Sequence, residues 1–136
     1  IADFDTAIQL DNRLCEAYIN RSTARCAIGD IKGAITDLDV AIAIEPGNAA
    51  AYNNRASARR ALGDLAGAIA DHDRAIALDP HNALAYVNRG LTLMRQGKAP
   101  EARADFQRGL LLNPALSSSI EAIASGKEDP QAQRTR

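Results

Sequence analysis

A period of 34 residues runs through this chain without a gap, and it constrains the fold more than any other feature of the sequence. Residues 15–48 written over 49–82 agree at 19 of 34 positions, and 49–82 over 83–116 at 12 of 34. Agreement at that level without insertions means one supersecondary unit repeated, each copy burying the apolar face of the next. Residues 1–14 align with the last fourteen positions of a further copy, IADFDTAIQLDNRL under ITDLDVAIAIEPGN, so the chain opens on a half repeat. The scarce residues hold the register. Tyr18, Tyr52 and Tyr86 fall at position 4, Phe4 and Phe106 at position 24, Gly29, Gly63 and Gly97 at position 15, and Pro46, Pro80 and Pro114 at position 32.

Composition says what kind of unit repeats. Hydrophobic residues are 46% of the chain but aromatics only 4%, and Trp is absent, so alanine carries much of the apolar count. Such a chain packs by bringing backbones close, which alanine-rich helices do well. Each copy reads as two helices. Helix A covers positions 1–14 and stops at the position-15 glycine, which can adopt the left-handed conformation that closes a helix. Asp30 and Asp64 follow as N-caps of helix B, whereas the third copy has Lys98 there and Pro100 in the first turn. Helix B covers roughly positions 17–30, with small residues at Ala34, Ala68 and Ala102 and again at Ala41, Ala75 and Gly109, where helices cross closely. Proline at position 32 ends it, and Asn48 and Asn82 are suitable caps for the next helix A.

The set of positions 4, 8, 20, 24, 27 and 32 resembles the tetratricopeptide repeat (TPR). It reads Tyr18, Ser22, Ala34, Leu38, Ala41 and Pro46 in the first whole copy, then Tyr52, Ala56, Ala68, His72, Ala75 and Pro80, then Tyr86, Gly90, Ala102, Phe106, Gly109 and Pro114. The resemblance covers residues 1–116. It departs from the family pattern at position 7, arginine in place of leucine, and at position 11, where Arg25, Arg59 and Leu93 replace tyrosine. It implies an all-α, right-handed superhelical solenoid of antiparallel helix pairs, with helix A lining a concave groove. The expected organisation is a truncated repeat over 1–14, TPR units over 15–48, 49–82 and 83–116, a capping helix over 117–125, and a disordered polar tail over 126–136.

The remaining composition narrows the function. Sixteen basic and 17 acidic residues nearly cancel, so no nucleic-acid surface is implied. No run of 18 apolar residues exists to cross a membrane, and no signal peptide opens the chain. The start at Ile1 inside a helical pattern predicts an excised fragment with repeats upstream. Cys15 and Cys26 on one helix would lie about 16 Å apart, well beyond the ~7 Å that a disulfide spans, so both are expected as free thiols of a reducing, cytoplasmic compartment. His72 and His81 have no partner at ligand spacing, so neither a metal site nor a cofactor is expected. No catalytic set is present. His72, at the position where the pattern expects an aromatic, is read as a core residue rather than a catalytic one.

Binding residues are therefore sought on helix A. Asn20, Asn54 and Asn88 recur at position 6, where a mediocre helix former serves no local purpose. An amide offers one acceptor and two donors, so a column of them can hold the backbone of an extended peptide independently of its sequence. Some TPR proteins carry such an asparagine ladder in the groove. The alternative is inheritance from repeat duplication without a ligand. Around the ladder, the groove is expected to include Asn53, Ser57 and Arg60 in the middle copy, and Leu84, Val87, Leu91, Met94 and Arg95 in the last. Ile19, Thr23 and Cys26 take the same positions in the first. The four apolar residues of the last copy form either a binding patch or the seat of the final helix. The carboxylate clamp of chaperone-binding TPR arrays is not expected, because Ile19, Thr23, Leu84 and Asn88 stand where it needs lysine, asparagine and two basic residues.

Two packing expectations complete the reading. Arg21, Arg55 and Arg89 at position 7 should pair with Asp37, Asp71 and Asp105 at position 23, or with an aspartate of the preceding copy. The lone helix over residues 1–12 should leave an apolar face open to self-association. The function so read is a non-catalytic protein–protein interaction scaffold that takes a peptide or protein segment in its groove. The alternative is a structural spacer or self-association module of a larger protein.

Overall fold

The computed structural model describes residues 15–116. They form six α-helices and no strand: α1 (Cys15–Ala27), α2 (Ile31–Ile44), α3 (Ala49–Ala61), α4 (Leu65–Leu78), α5 (Ala83–Arg95) and α6 (Ala99–Leu112), closed by a 3-10 turn at Pro114–Leu116. The half repeat over 1–14, the capping helix over 117–125, the tail over 126–136 and the N-terminal face expected to self-associate lie outside the described residues. The chain divides after Pro80 into two compact units, one holding α1 to α4 and the other α5, α6 and the turn.

The same devices build each helix pair. Helices α1, α3 and α5 end on glycines at φ +87°, +87° and +80° (Gly29, Gly63, Gly97), a region that costs any other residue about 1–2 kcal/mol. In each, the two amides around the turn point back into the helix. Gly29 N–H donates to Cys26 O at 3.1 Å and Asp30 N–H to Arg25 O at 2.8 Å, and Gly63, Asp64, Gly97 and Lys98 repeat the pattern. Asp30 and Asp64 then cap α2 and α4, accepting from Gly33 N and Gly67 N at 3.0 Å. A Cβ on Gly33 or Gly67 would collide with the capping carboxylate. The third copy lacks both partners of this arrangement: Lys98 makes no side-chain cap, and Glu101 takes the glycine's place. Asn48 and Asn82 cap α3 and α5.

Within each pair the small residues meet. Ala34, Ala41, Ala56, Ala68, Ala75 and Ala102 are fully buried. Position 24 fills the space between helices, with Leu38, His72 and Phe106 at 0–3% exposure. His72 is thus a core residue. The facing position 8 adjusts to it: in the third copy Gly90 faces Phe106, whose ring lies 2.7 Å from where a Cβ would sit. In the first unit, Cys15, Ile19, Leu38 and Ala41 close with Ala51 of α3 into one core. In the second, Val87, Ala102 and Phe106 pack with Leu91, Leu93, Leu110 and Leu116.

Candidate functional site

Position 7 and position 23 form an ion pair in every described copy, a half-buried arginine on a buried aspartate. Arg21 engages Asp37 through two parallel bonds (Nε to Oδ2 3.0 Å, Nη2 to Oδ1 2.6 Å), Arg55 engages Asp71 (2.9 and 2.8 Å), and Arg89 engages Asp105 (2.8 and 2.7 Å). Two-point contact of this kind is the strong form of the interaction. The aspartates are buried. In two copies a second arginine bonds the same carboxylate: Arg25 donates to Asp37 at 2.9 Å and Arg59 to Asp71 at 2.8 Å. Arg55 also reaches back to Asp39 of α2 at 2.8 Å, tying neighbouring copies together. Hydrogen bonding to Asp71, then to Asp39, raises the Arg55 pKa further above its ordinary range, and bonding to Asp37 raises that of Arg21. Each position-7 guanidinium also stands 5.6 Å from the ring centre of the tyrosine three residues earlier.

These arginines hold one face of α1, α3 and α5 against α2, α4 and α6. In the first unit a different face presents Asn20, exposed, and Asn54, half-buried. The Asn54 side chain makes no hydrogen bond among the described residues. It lines a cavity of about 240 Å³ with Ser57, Ala58 and Ala61 of α3, Ser22, Thr23 and Cys26 of α1, and Ile31 and Leu38 of α2. Asn53 and Arg60 are half-buried nearby on α3. The cavity brings together Asn54 and Ser57 with Thr23 and Cys26, four positions expected on the groove.

In the second unit Asn88 is half-buried on α5. The apolar residues expected beside it divide. Leu84 and Met94 are exposed, at 55% and 39%, and Arg95 is exposed at the helix end. Val87, expected on the groove wall, is instead a core residue, 8% exposed, with its Cγ2 standing 2.8 Å from where a Cβ on Gly109 would lie. Leu91 is half-buried against the same core. Ile19 makes the same departure in the first copy, at 7% exposure. The reason is the helix crossing: glycine or alanine at position 27 draws helix B close enough to cover position 5 of helix A. The four apolar residues therefore do not form one continuous patch.

The preceding-copy aspartate expected for Arg55 is Asp39, at position 25 rather than 23. Sequence patterning missed two features: the second arginine on Asp37 and Asp71, and the cavity. The signal for the first was present, since arginine replaces tyrosine at position 11 in the same two copies that have the second pair. Both thiols are free. Burial, then Glu45 and Glu16, push the Cys15 thiol pKa up, while its Sγ–H donates to Ala41 O at 3.4 Å. Burial, then Asp30, push Cys26 up. Among the described residues no group of His, Cys, Asp or Glu is placed to hold a metal ion, and no helix is long and apolar enough to cross a membrane.

Two family profiles match the chain, one described as TPR repeat over residues 56–97 and one as tetratricopeptide repeat over 83–116. No curated protein matches it. Among solved structures, the first TPR of Spaghetti (RPAP3), bound to the HSP90 peptide SRMEEVD, is 26% identical, with 85% of this chain and 94% of that one covered at a TM-score of 0.76. The second TPR of Spaghetti, bound to the same peptide, is 30% identical, with 75% and 95% covered at 0.71. MamA, 22% identical with 91% and 75% covered at 0.75, shares the fold. The fold class is that of the all-α helical-repeat solenoids. With its repeat positions, its helix pairs and a 30% identical relative covered over nearly its whole length, this chain belongs to the tetratricopeptide repeat family.

Proposed function

We propose that this chain is a non-catalytic protein-interaction module that holds an extended protein segment along the first helices of its repeats. Asn20 and Asn54 bind the segment's backbone in the first unit. In the second unit, taken by itself, Asn88 with Leu84 and Met94 offers the corresponding positions for a segment. The observation that carries the reading is the state of Asn54. It sits mid-helix, where asparagine costs helical stability relative to alanine, yet its side chain serves no hydrogen bond within the described fold. The other face of the same helix commits Arg55 and Arg59 to ion pairs, so the face bearing Asn54 is the one with hydrogen-bonding capacity left over. Two related TPR domains that hold a peptide support a peptide as the ligand class.

The peptide SRMEEVD itself is not the expected ligand. Its acidic end needs cations, and this chain has Ile19, Thr23, Leu84 and Asn88 where the chaperone clamp needs its lysine, asparagine and basic pair. Screening the chain against an array of extended peptides, with SRMEEVD as one member, tests both points. Replacing Asn20, Asn54 and Asn88 with alanine should weaken the retained peptides by about 0.5–1.5 kcal/mol per lost bond while leaving the melting temperature unchanged or higher. A triple variant that binds the same peptides as well as the parent would refute the backbone role, and tight retention of SRMEEVD would refute the exclusion of acidic tails.

A further inference from the structure

Backbone contacts by asparagine leave the cavity between α1, α2 and α3 without a role. Its nine lining residues include no acidic or basic side chain. Ile31, Leu38, Ala58 and Ala61 make much of the wall apolar. The hydroxyl groups in the wall have already committed their hydrogens: Ser22 and Thr23 donate to Ile19 O at 2.6 and 3.2 Å, and Ser57 donates to Asn53 O at 3.3 Å. A carboxylate or ammonium group entering would lose water and meet no opposite charge. The occupant that matches this wall is neutral and apolar.

Size narrows the class. The cavity, which opens to solvent, holds about 240 Å³, more than the roughly 150 Å³ of an enclosed apolar cavity that takes up benzene. A phenyl ring fits with room for its Cβ, whereas a leucine-sized group leaves part of the wall without contacts. The chain cannot readily lend such a group to a second copy from its described residues. Phe106 and Tyr86 are buried, and Tyr18 and Tyr52 are half-buried under Arg21 and Arg55.

The geometry points to an anchor pocket for one aromatic side chain of the bound segment, with the Asn54 amide in its wall holding the adjacent backbone. This rests on the reading above that a segment lies along the first helices. The ligand is thereby specified as an extended segment with a phenylalanine-like residue flanked by uncharged ones.

N-acetyl-phenylalaninamide is the probe, because a single blocked residue needs no asparagine column. It is titrated into the isotope-labelled chain beside the leucine and glutamate counterparts. The expected result is saturable movement of the Thr23, Cys26, Ser57 and Ala61 amide resonances at about millimolar affinity. The leucine compound should bind about tenfold more weakly, and the glutamate compound should not bind. Ala61→Phe fills the pocket from its rim and should abolish the response; Cys26→Phe serves if that variant does not fold. An equal response to all three compounds, no response at those four residues, or a response that survives the filled pocket overturns the proposal. Should the pocket fail while Asn20→Ala and Asn54→Ala still weaken peptide binding, the backbone reading stands alone. A seated phenyl ring with peptide binding indifferent to both asparagines upholds the pocket and overturns the backbone reading.

Discussion

Replacing Arg55 with alanine removes three charge-assisted hydrogen bonds at once: two to Asp71 and one to Asp39. The two ends of this bridge differ in worth. The Asp39 carboxylate is 54% exposed, so that bond is screened and contributes at most about 1 kcal/mol. The Asp71 side chain is 5% exposed and cannot recover water when its partner goes. Breaking a buried pair by deleting one member costs about 3–5 kcal/mol. Here Arg59 remains at 2.8 Å from Asp71 and offsets part of that loss, so the expected destabilisation is about 2–3 kcal/mol. For a chain of this size that corresponds to roughly 8–12 °C in melting temperature. Urea unfolding followed by circular dichroism at fixed pH measures it directly. The explanation makes a second demand. The arginines are needed only because the aspartate is buried, so Arg55→Met and Arg59→Met combined with Asp71→Leu should restore most of the loss. A single-variant loss below about 1 kcal/mol, the ceiling for exposed pairs, would show that water reaches Asp71 and that the burial argument is wrong.

Gly90→Ala should destabilise by about 1 kcal/mol, because crowding of the Phe106 ring, worth about 1–3 kcal/mol, outweighs the roughly 1 kcal/mol helix gain from alanine. In a Phe106→Leu background, which restores the residue type of the first copy, the same change should turn stabilising, and a sign unchanged by the background would refute the steric account. Both thiols have pKa values raised by burial and nearby carboxylates, so each holds less thiolate at pH 8 than a free cysteine and should be alkylated more slowly by iodoacetamide. Mass-resolved rates at Cys15 and Cys26 equal to that of a model thiol would contradict this.

The 34-residue register was legible because each device that sets it is local. A glycine at φ near +87°, an aspartate accepting from the amide three residues on, and an asparagine opening the next helix act within a few residues of one another. The pairing of Arg21, Arg55 and Arg89 with position-23 aspartates was legible for a related reason: a charged side chain on a packed face needs a partner, and the repeat offers the same one each time. Helical spacing also placed the asparagines on a different face from the arginines. It did not say how deeply each flank of that face is buried. Ile19 and Val87 at position 5 sit at the edge of the apolar stripe, and their burial is decided by how near the next helix comes. That distance depends on Ala41 and Gly109, which are more than twenty residues away. The cavity has the same origin. Thr23 and Ser57 are ordinary residues on their own helices, and the space beside them exists only because α1, α2 and α3 converge there without a large side chain to fill it. Side-chain azimuth is a property of one helix and can be read from its sequence; depth and void belong to the pairing of helices and appear only when the chain is folded.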